Sequence, residues 1–314
     1  MKLAALGEFG LIQRIERAAR RAGQPAGVVV GIGDDAAVLR LRAGEDVVLS
    51  TDAVVEDVHF RWRTESARHI GRRALVASLS DLAAMGARPL GFTAALAAPG
   101  ELPVRTVDEL LAGMLLEAAS HGCPLVGGNV TRAPVTSLTL SVQGAVKRGR
   151  LLRRGRAAAG DRILVTGQLG AAALALARAE RGGGRIRHTP TPRLDAGRRL
   201  AGVRTLRGCI DVSDGLAADC AHLLASPRLA ADLDVAALPR PPGFAAACAR
   251  LGVDPERLLL AGGEEYELVF TLRGPAPSAV ALARRLGLRV SEIGRVVRAA
   301  GRRPIPASGG WRHF

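Results

Sequence analysis

Four separate acidic clusters, set beside glycines or strand ends, constrain this chain more than any other feature. They read Gly31-Ile32-Gly33-Asp34-Asp35, Ser50-Thr51-Asp52, Ser80-Asp81-Leu82 and Asp211-Val212-Ser213-Asp214-Gly215. The rest of the chain is strongly basic, with a formal net charge of +15. Carboxylates at the tips of loops in a positive chain point to a task that needs local negative charge, and the usual one is holding hard cations. Mg²⁺ takes oxygen ligands and is commonly shared between a few carboxylates and substrate phosphates. The first expectation is therefore a Mg²⁺-nucleotide enzyme that lacks a P-loop.

The segments between the clusters predict a mixed architecture. Leu11, Ile12, Ile15, Ala18 and Ala19 fall at helical spacing within residues 8–22. Short strands are expected at 28–30, 37–41 and 46–50, the last with Thr51 and Asp52 at its end. Ile70, Ala74, Leu75, Leu79, Leu82 and Met85 share one face of a long helix over 66–86. A strand over 91–97 and a second long helix over 106–121 follow. The next strand, at 125–126, runs into a Gly127-Gly128-Asn129 turn. Leu138, Leu140 and Val142 alternate within 135–146, the pattern of a half-buried strand.

Residues 147–161 are rich in Arg, Gly and Ala and carry no core pattern, so the domain boundary is placed there, giving domains 1–147 and 148–314. Beyond it, helices are expected near 170–181, 192–201 and from Asp214, with one more near 278–287. Strands are expected near 163–166, 208–212, 229–235, 266–272 and 289–297. Residues 181–192, with three consecutive glycines and two prolines, read as a loop. The fold class is α+β or mixed α/β in two domains.

Composition excludes some classes. The longest Ala/Leu-rich run, at 169–177, is far short of the roughly 20 residues of a membrane span, and no secretory leader is expected. None of Cys123, Cys209, Cys220 and Cys248 forms a C-x-x-C pair, which suits a reducing cytoplasm with free thiols. All but Lys2 and Lys147 of the 44 basic residues are arginine, scattered over several segments with aromatics at 3%. That distribution argues for incidental attraction to polyanions rather than specific nucleic-acid recognition.

Each motif has a chemical and a plain reading. Gly31-Ile32-Gly33-Asp34-Asp35-Ala36 matches a dinucleotide fingerprint in form, but a strand follows it, and two carboxylates would stand where the pyrophosphate belongs. A metal-ligand turn or a simple Asp-Asp hairpin remains. Asp81 lies in an apolar helix, where a carboxylate needs a metal or an ion pair to Arg72 or Arg73. Asp211 and Asp214 flank Ser213 at a strand-to-helix junction, as ligands on one rim or as a helix cap. Gly127-Gly128-Asn129 lets backbone amides approach an anion, or is a plain turn. His59 follows Glu56 and Asp57. Gly262-Gly263-Glu264-Glu265-Tyr266-Glu267 places three carboxylates around a Tyr at a strand start, and Trp311 stands near the end, able to anchor the tail or to stack on a flat ring.

Taken in order, seven segments resemble the thiamine-monophosphate kinase family, within the superfamily that also holds aminoimidazole-ribonucleotide synthetase, selenophosphate synthetase and a hydrogenase-maturation protein. They are GEFGLI (7–12), GIGDDAAV (31–38), STDAVVEDVHF (50–60), SLSDLAAMGARP (78–89), VGGN (126–129), DVSDGLAAD (211–219) and GGEEYEL (262–268). The resemblance implies an N-terminal ferredoxin-like α+β sheet domain that pairs with a second subunit in a homodimer, and a C-terminal α/β domain. It implies transfer of phosphate from ATP to thiamine monophosphate, giving thiamine diphosphate. By match to the family's motifs, Asp35, Ser50, Thr51, Asp52, Asp81, Asp211 and Asp214 would bind Mg²⁺. Gly128, Asn129, Arg154 and Ser213 would contact ATP, and His59, Glu264 and Trp311 the thiamine phosphate. No residue is expected to act as a general base. The chain departs from the family's pattern at Asn129 (usually Asp), Glu265 (usually Asp) and Asp57 (usually Gly). Two rivals stand beside this reading. One is another ATP-using enzyme of the superfamily, although no Cys precedes Cys123. The other is a basic nucleic-acid-binding protein.

Overall fold

The computed structural model describes residues 1–23, 27–32, 36–182 and 184–299. They form two compact units, Met1–Leu82 with Arg88–Arg148, and Ala83–Ala87 with the chain from Gly149 onward.

In the first unit, α1 (Leu3–Ala22) bends at Gly7, whose φ of 73° is open to glycine without strain. A small antiparallel pair follows, β1 (Val28–Val30) with β2 (Val38–Leu39). The main sheet is built from β3 (Glu45–Val55), β4 (Arg88–Ala98), β5 (Leu125–Arg132) and β6 (Ser137–Lys147), with α2 (Ala67–Ala84) between β3 and β4 and α3 (Val104–His121) between β4 and β5. The order is β3-β6-β4-β5, with only β4 and β5 parallel. The mixed fold class is as expected, but the succession is β-α-β-α-β-β and not the β-α-β-β-α-β of a ferredoxin-like sheet. The difference is the place of α3, which joins the parallel neighbours β4 and β5 and leaves β5 and β6 to follow one another without a helix.

The helix faces are those the periodicity indicates. Ile70, Ala74, Leu75, Leu79 and Leu82 of α2 are buried, as are Leu138, Leu140 and Val142 of β6. Close approach of α2 and α3 depends on two glycines. A Cβ on Gly71 would lie 2.0 Å from the Leu110 carbonyl oxygen, and one on Gly113 equally close to that of Arg68. Buried carboxylates pin the same layer: Glu117 accepts from Arg72 at 2.7 Å and Glu65 from Arg73 at 3.1 Å.

The second unit holds a five-stranded antiparallel sheet. Its strands are β7 (Arg162–Thr166), β8 (Leu206–Asp211), β9 (Leu229–Leu233), β10 (Leu268–Leu272) and β11 (Val290–Arg298), in the order β8-β10-β7-β11-β9. Its helices are α4 (Ala171–Gly182), α5 (Leu194–Leu200), α6 (Leu216–Leu224), α7 (Phe244–Leu251), α8 (Pro255–Ala261) and α9 (Ala279–Leu286). One core joins Ile163, Val165, Ile210 and Val269 of the strands to Leu174, Leu223, Phe244 and Leu259 of α4, α6, α7 and α8.

Four local expectations are corrected. β3 does not stop before Thr51 but continues to Val55, paired residue for residue with β6, so Ser50 and Asp52 take inward positions in mid-strand. β5 likewise runs straight through Gly127-Gly128-Asn129, which is ladder and not a turn. α6 begins at Leu216 rather than Asp214, because residues 212–215 form a separate turn. Finally, α7 and α8 have no counterpart in the sequence reading. At 8 and 7 residues they are too short for periodicity to resolve. Local chemistry does mark α8: Asp254 caps it through Glu256 N–H, with Pro255 at the first helical position. Among the described residues no helix is long and apolar enough to cross a membrane.

Candidate functional site

Each unit carries its own carboxylate group. In the first, period-2 alternation along β3 turns Ser50 and Asp52 to the inner face, toward α2 and Asp81. The Ser50 hydroxyl donates to Asp81 Oδ2. Asp52 Oδ2 is buried and has no hydrogen-bond partner. Burial, and secondarily the charge of Asp81, pushes the Asp52 carboxyl up to about 6. Thr51 falls on the opposite face, where its hydroxyl bonds Ser141 Oγ at 2.7 Å, so its side chain does not join Ser50, Asp52 and Asp81. On the same helix Arg72 pairs with Glu117 and Arg73 with Glu65.

Beside this group the chain turns tightly at residues 55–60. Asp57 has φ 62°, a left-handed conformation that Asp tolerates better than most residues and glycine better still. The usual glycine at this place thus has a physical reason. His59 is fixed at both ends: its carbonyl accepts from Arg73 Nη2 at 2.7 Å, and its Nδ1 accepts from Val55 N–H at 3.2 Å. With Nδ1 accepting, the neutral ring carries its proton on Nε2, as a hydrogen-bond donor.

Gly128 and Asn129 are exposed on β5. A Cβ on Gly128 would lie 2.1 Å from the Ala94 carbonyl oxygen. Gly128→Ala is therefore expected to break the β4–β5 register and lower stability by about 2–4 kcal/mol, read as a drop in the urea midpoint. A midpoint unchanged within error would contradict the close approach.

In the second unit β8 ends at Asp211, and the turn 212–215 leads into α6. The turn is gathered by one atom. Asp219 Oδ2 accepts the N–H groups of Ser213, Asp214 and Gly215 at 3.0, 3.1 and 3.1 Å. Burial raises the Asp219 carboxyl to about 7, with the charges of Asp211 and Asp214 adding to the rise and the amide donors opposing it. Asp219 lies within the DVSDGLAAD segment, and a carboxylate four residues after Gly215 is the signal that marks it as the cap of this turn. The backbone of 262–267 lies alongside: Ser213 O accepts from Glu264 N–H and Val212 O from Tyr266 N–H, both at 2.8 Å. Glu264 is half-exposed, whereas Glu265 and Glu267 are buried. Arg154 is exposed in the segment before β7. Asp35 and Trp311 lie outside the described residues.

Glu265 caps α4. Its carboxylate oxygens accept from Ala171, Ala172 and Ala173 N–H at 3.1–3.4 Å. Burial nevertheless pushes the carboxyl up to about 7 from an ordinary 4.5. The folded state thus favours the protonated form. This group's contribution is complete below pH 4.5 and is lost as pH rises through 7. Glu265→Gln is expected to remove a loss of about 1–3 kcal/mol between pH 4.5 and 7.5, measured by urea unfolding at both ends. An equal slope in variant and parent would contradict the assignment.

The residues present suit Mg²⁺. Among the described residues no three His, Cys, Asp or Glu side chains make a complete metal cage. Yet a buried, unpartnered carboxylate oxygen beside a second carboxylate and a hydroxyl is the donor set of an ion that takes its remaining ligands from phosphate and water. Asp211 and Asp214 lie near enough to Asp219 for their charges to raise its carboxyl, which concentrates negative charge at this turn.

Comparison with known proteins gives consistent kinships. Residues 33–146 match the N-terminal domain of AIR synthase related proteins and residues 158–304 their C-terminal domain. The thiamine-monophosphate kinase of Mycobacterium tuberculosis (strain CDC 1551 / Oshkosh) is 37% identical over 287 residues, covering 88% of this chain and 84% of that one. The crystal structure of thiamine-monophosphate kinase from Stenotrophomonas maltophilia K279a superposes with a TM-score of 0.80 at 37% identity, over 91% of this chain and 93% of the other. A structure of AaThiL complexed with AMPPCP and TMP gives 0.74 at 27% identity, over 100% and 99%.

Proposed function

This chain belongs to the thiamine-monophosphate kinase family, and we propose that it transfers the terminal phosphoryl group of ATP directly to thiamine monophosphate, giving thiamine diphosphate and ADP. The kinship runs along nearly the whole chain and includes a relative structure bearing AMPPCP and TMP. The observation that carries the reading here is the pairing of Asp52 with Asp81, one carboxylate oxygen buried without a partner.

The acceptor is a phosphate monoester, already anionic near neutral pH, so no side chain has to remove a proton from it. The obstacle is repulsion between two polyanions, about 4 kcal/mol for each pair of unit charges 4 Å apart at an effective dielectric of 20. Ser50, Asp52 and Asp81, and separately Asp211 and Asp214, would hold Mg²⁺, with Asp35 in the same role; bound there, the ion supplies the positive charge that draws phosphate oxygens together. The carboxylates are scaffolds, not proton carriers. Gly128, Asn129, Arg154 and Ser213 are assigned to ATP. His59, Glu264 and Trp311 are assigned to thiamine monophosphate, and the Nε2–H of His59 is suited to a phosphate oxygen. Direct transfer is tested with ATP made chiral at the γ-phosphorus: the product should show inversion, whereas retention would require a phosphorylated enzyme.

The chain is proposed to work as a homodimer. Val47 and Leu49 lie on the outward face of β3, at the sheet's edge, and are 50% and 66% exposed. Two such faces packed together would remove apolar surface from water at about 25 cal/mol per Å². Leu49→Asp is expected to shift the protein to monomer in light scattering at micromolar concentration. A variant that stays dimeric would move the interface elsewhere. The proposed location is the cytoplasm, where the four buried thiols stay reduced.

A further inference from the structure

The segment that presents Glu264 is held in a conformation it would not choose by itself. Glu264 has φ 61° and Tyr266 φ 52°, both in the left-handed region that costs a side-chain-bearing residue about 1 kcal/mol or more. Such strain persists only where the surroundings over-determine it. Here the determinants are the buried neighbours at alternate positions. Glu265 is fixed on α4. Glu267, 3% exposed, uses both carboxylate oxygens. Oε2 accepts from the Thr166 hydroxyl at 2.6 Å and Arg193 Nε at 2.7 Å; Oε1 accepts from Arg193 Nη2 at 2.6 Å and Gln168 N–H at 3.3 Å. The fit leaves no slack, since a Cβ on Gly167 would fall 1.7 Å from Glu267 Oε1. Through its backbone, Glu267 O also accepts Val212 N–H at 2.8 Å, three residues after the strained Glu264, whose own N–H meets Ser213 O.

One carboxylate thus ties the end of β7, the segment preceding α5 and the turn 262–267 into a single body, with Glu264 on its accessible side. We propose that Glu267, with Arg193 as its bidentate partner, is a positioning residue that holds Glu264 in the orientation that meets thiamine monophosphate. Arg-carboxylate forks of this kind fix direction as well as position. The inference rests on the reading of Glu264 as a substrate contact. A buried carboxylate three residues away has no route to the acceptor except through the backbone it locks.

The test is a double-mutant cycle on Glu267→Gln and Glu264→Ala, read as KM for thiamine monophosphate, KM for ATP, kcat and melting temperature. The amide of the Gln variant turns an N–H donor toward the Arg193 fork, which itself only donates. The expected result is a rise of about tenfold in KM for thiamine monophosphate, with kcat and KM for ATP within about threefold of the parent. In the Glu264→Ala background the same substitution should have no further effect. Arg193→Lys, which keeps the charge and loses the fork, should give a smaller rise that likewise vanishes there, and it serves where the Gln variant does not fold. Effects that multiply in the double variant would overturn the inference and leave the substrate reading intact. A parental KM in Glu264→Ala would overturn the substrate reading and the inference with it.

Discussion

Asp81→Ala and Asp52→Ala are each expected to lower turnover about a thousandfold at saturating Mg²⁺ while the metal-free protein keeps its fold. Three decades correspond to roughly 4 kcal/mol of transition-state stabilisation, the scale on which a bound cation acts on transferring phosphate. The stability side has the opposite sign from an ordinary buried deletion. Asp52 is a carboxylate whose buried oxygen has no partner, beside a second negative charge. Leaving such a group unsatisfied costs the folded state energy. Its removal should therefore hold or raise the melting temperature of the metal-free protein by a few degrees, and Mg²⁺ with ATP should restore less of it than in the parent. Turnover within tenfold of the parent would remove this pair from the reaction. A collapse of the metal-free fold would make the pair structural.

Asp219→Ala is expected to damage both stability and turnover. The substitution strands three backbone N–H groups that now converge on one oxygen. Full desolvation penalties of about 1–3 kcal/mol each would apply if the turn stayed put. It will instead open and hydrate, so a net loss of about 2–4 kcal/mol is expected, with turnover down at least a hundredfold as Asp211 and Asp214 lose their common frame. Asp219→Asn separates geometry from charge. Its amide oxygen can still accept from the turn, so stability should return to within about 1 kcal/mol of the parent. If the Asn variant were as unstable as the Ala variant, the three-amide arrangement would not be what holds the turn.

What the sequence makes legible follows from what each residue says locally. The long helices α2 and α3 and the alternating strand β6 announce themselves through runs of ten or more residues with a single period. The carboxylates were legible by type, since Asp beside Gly and Ser in a basic chain has few uses. Their geometry was not. Ser-Thr-Asp looks like a strand end because polar residues commonly close strands, yet Asp52 sits in mid-strand on the inner face, beside Asp81 of α2. Gly127-Gly128-Asn129 looks like a turn for the same reason, yet Gly128 is required by the contact with the Ala94 carbonyl across the sheet. Long-range polar partners were invisible. Nothing near Glu267 in sequence points to Arg193, 74 residues away, or to Thr166, at a separation of 101.

The most direct test of the central claim is a coupled ADP-release assay with Mg²⁺-ATP, run with and without thiamine monophosphate, with mass detection of the product. ADP release is expected only when that acceptor is present, in step with formation of thiamine diphosphate. A folded protein that binds Mg²⁺-ATP but releases no ADP with thiamine monophosphate, or releases it equally without, would contradict the account.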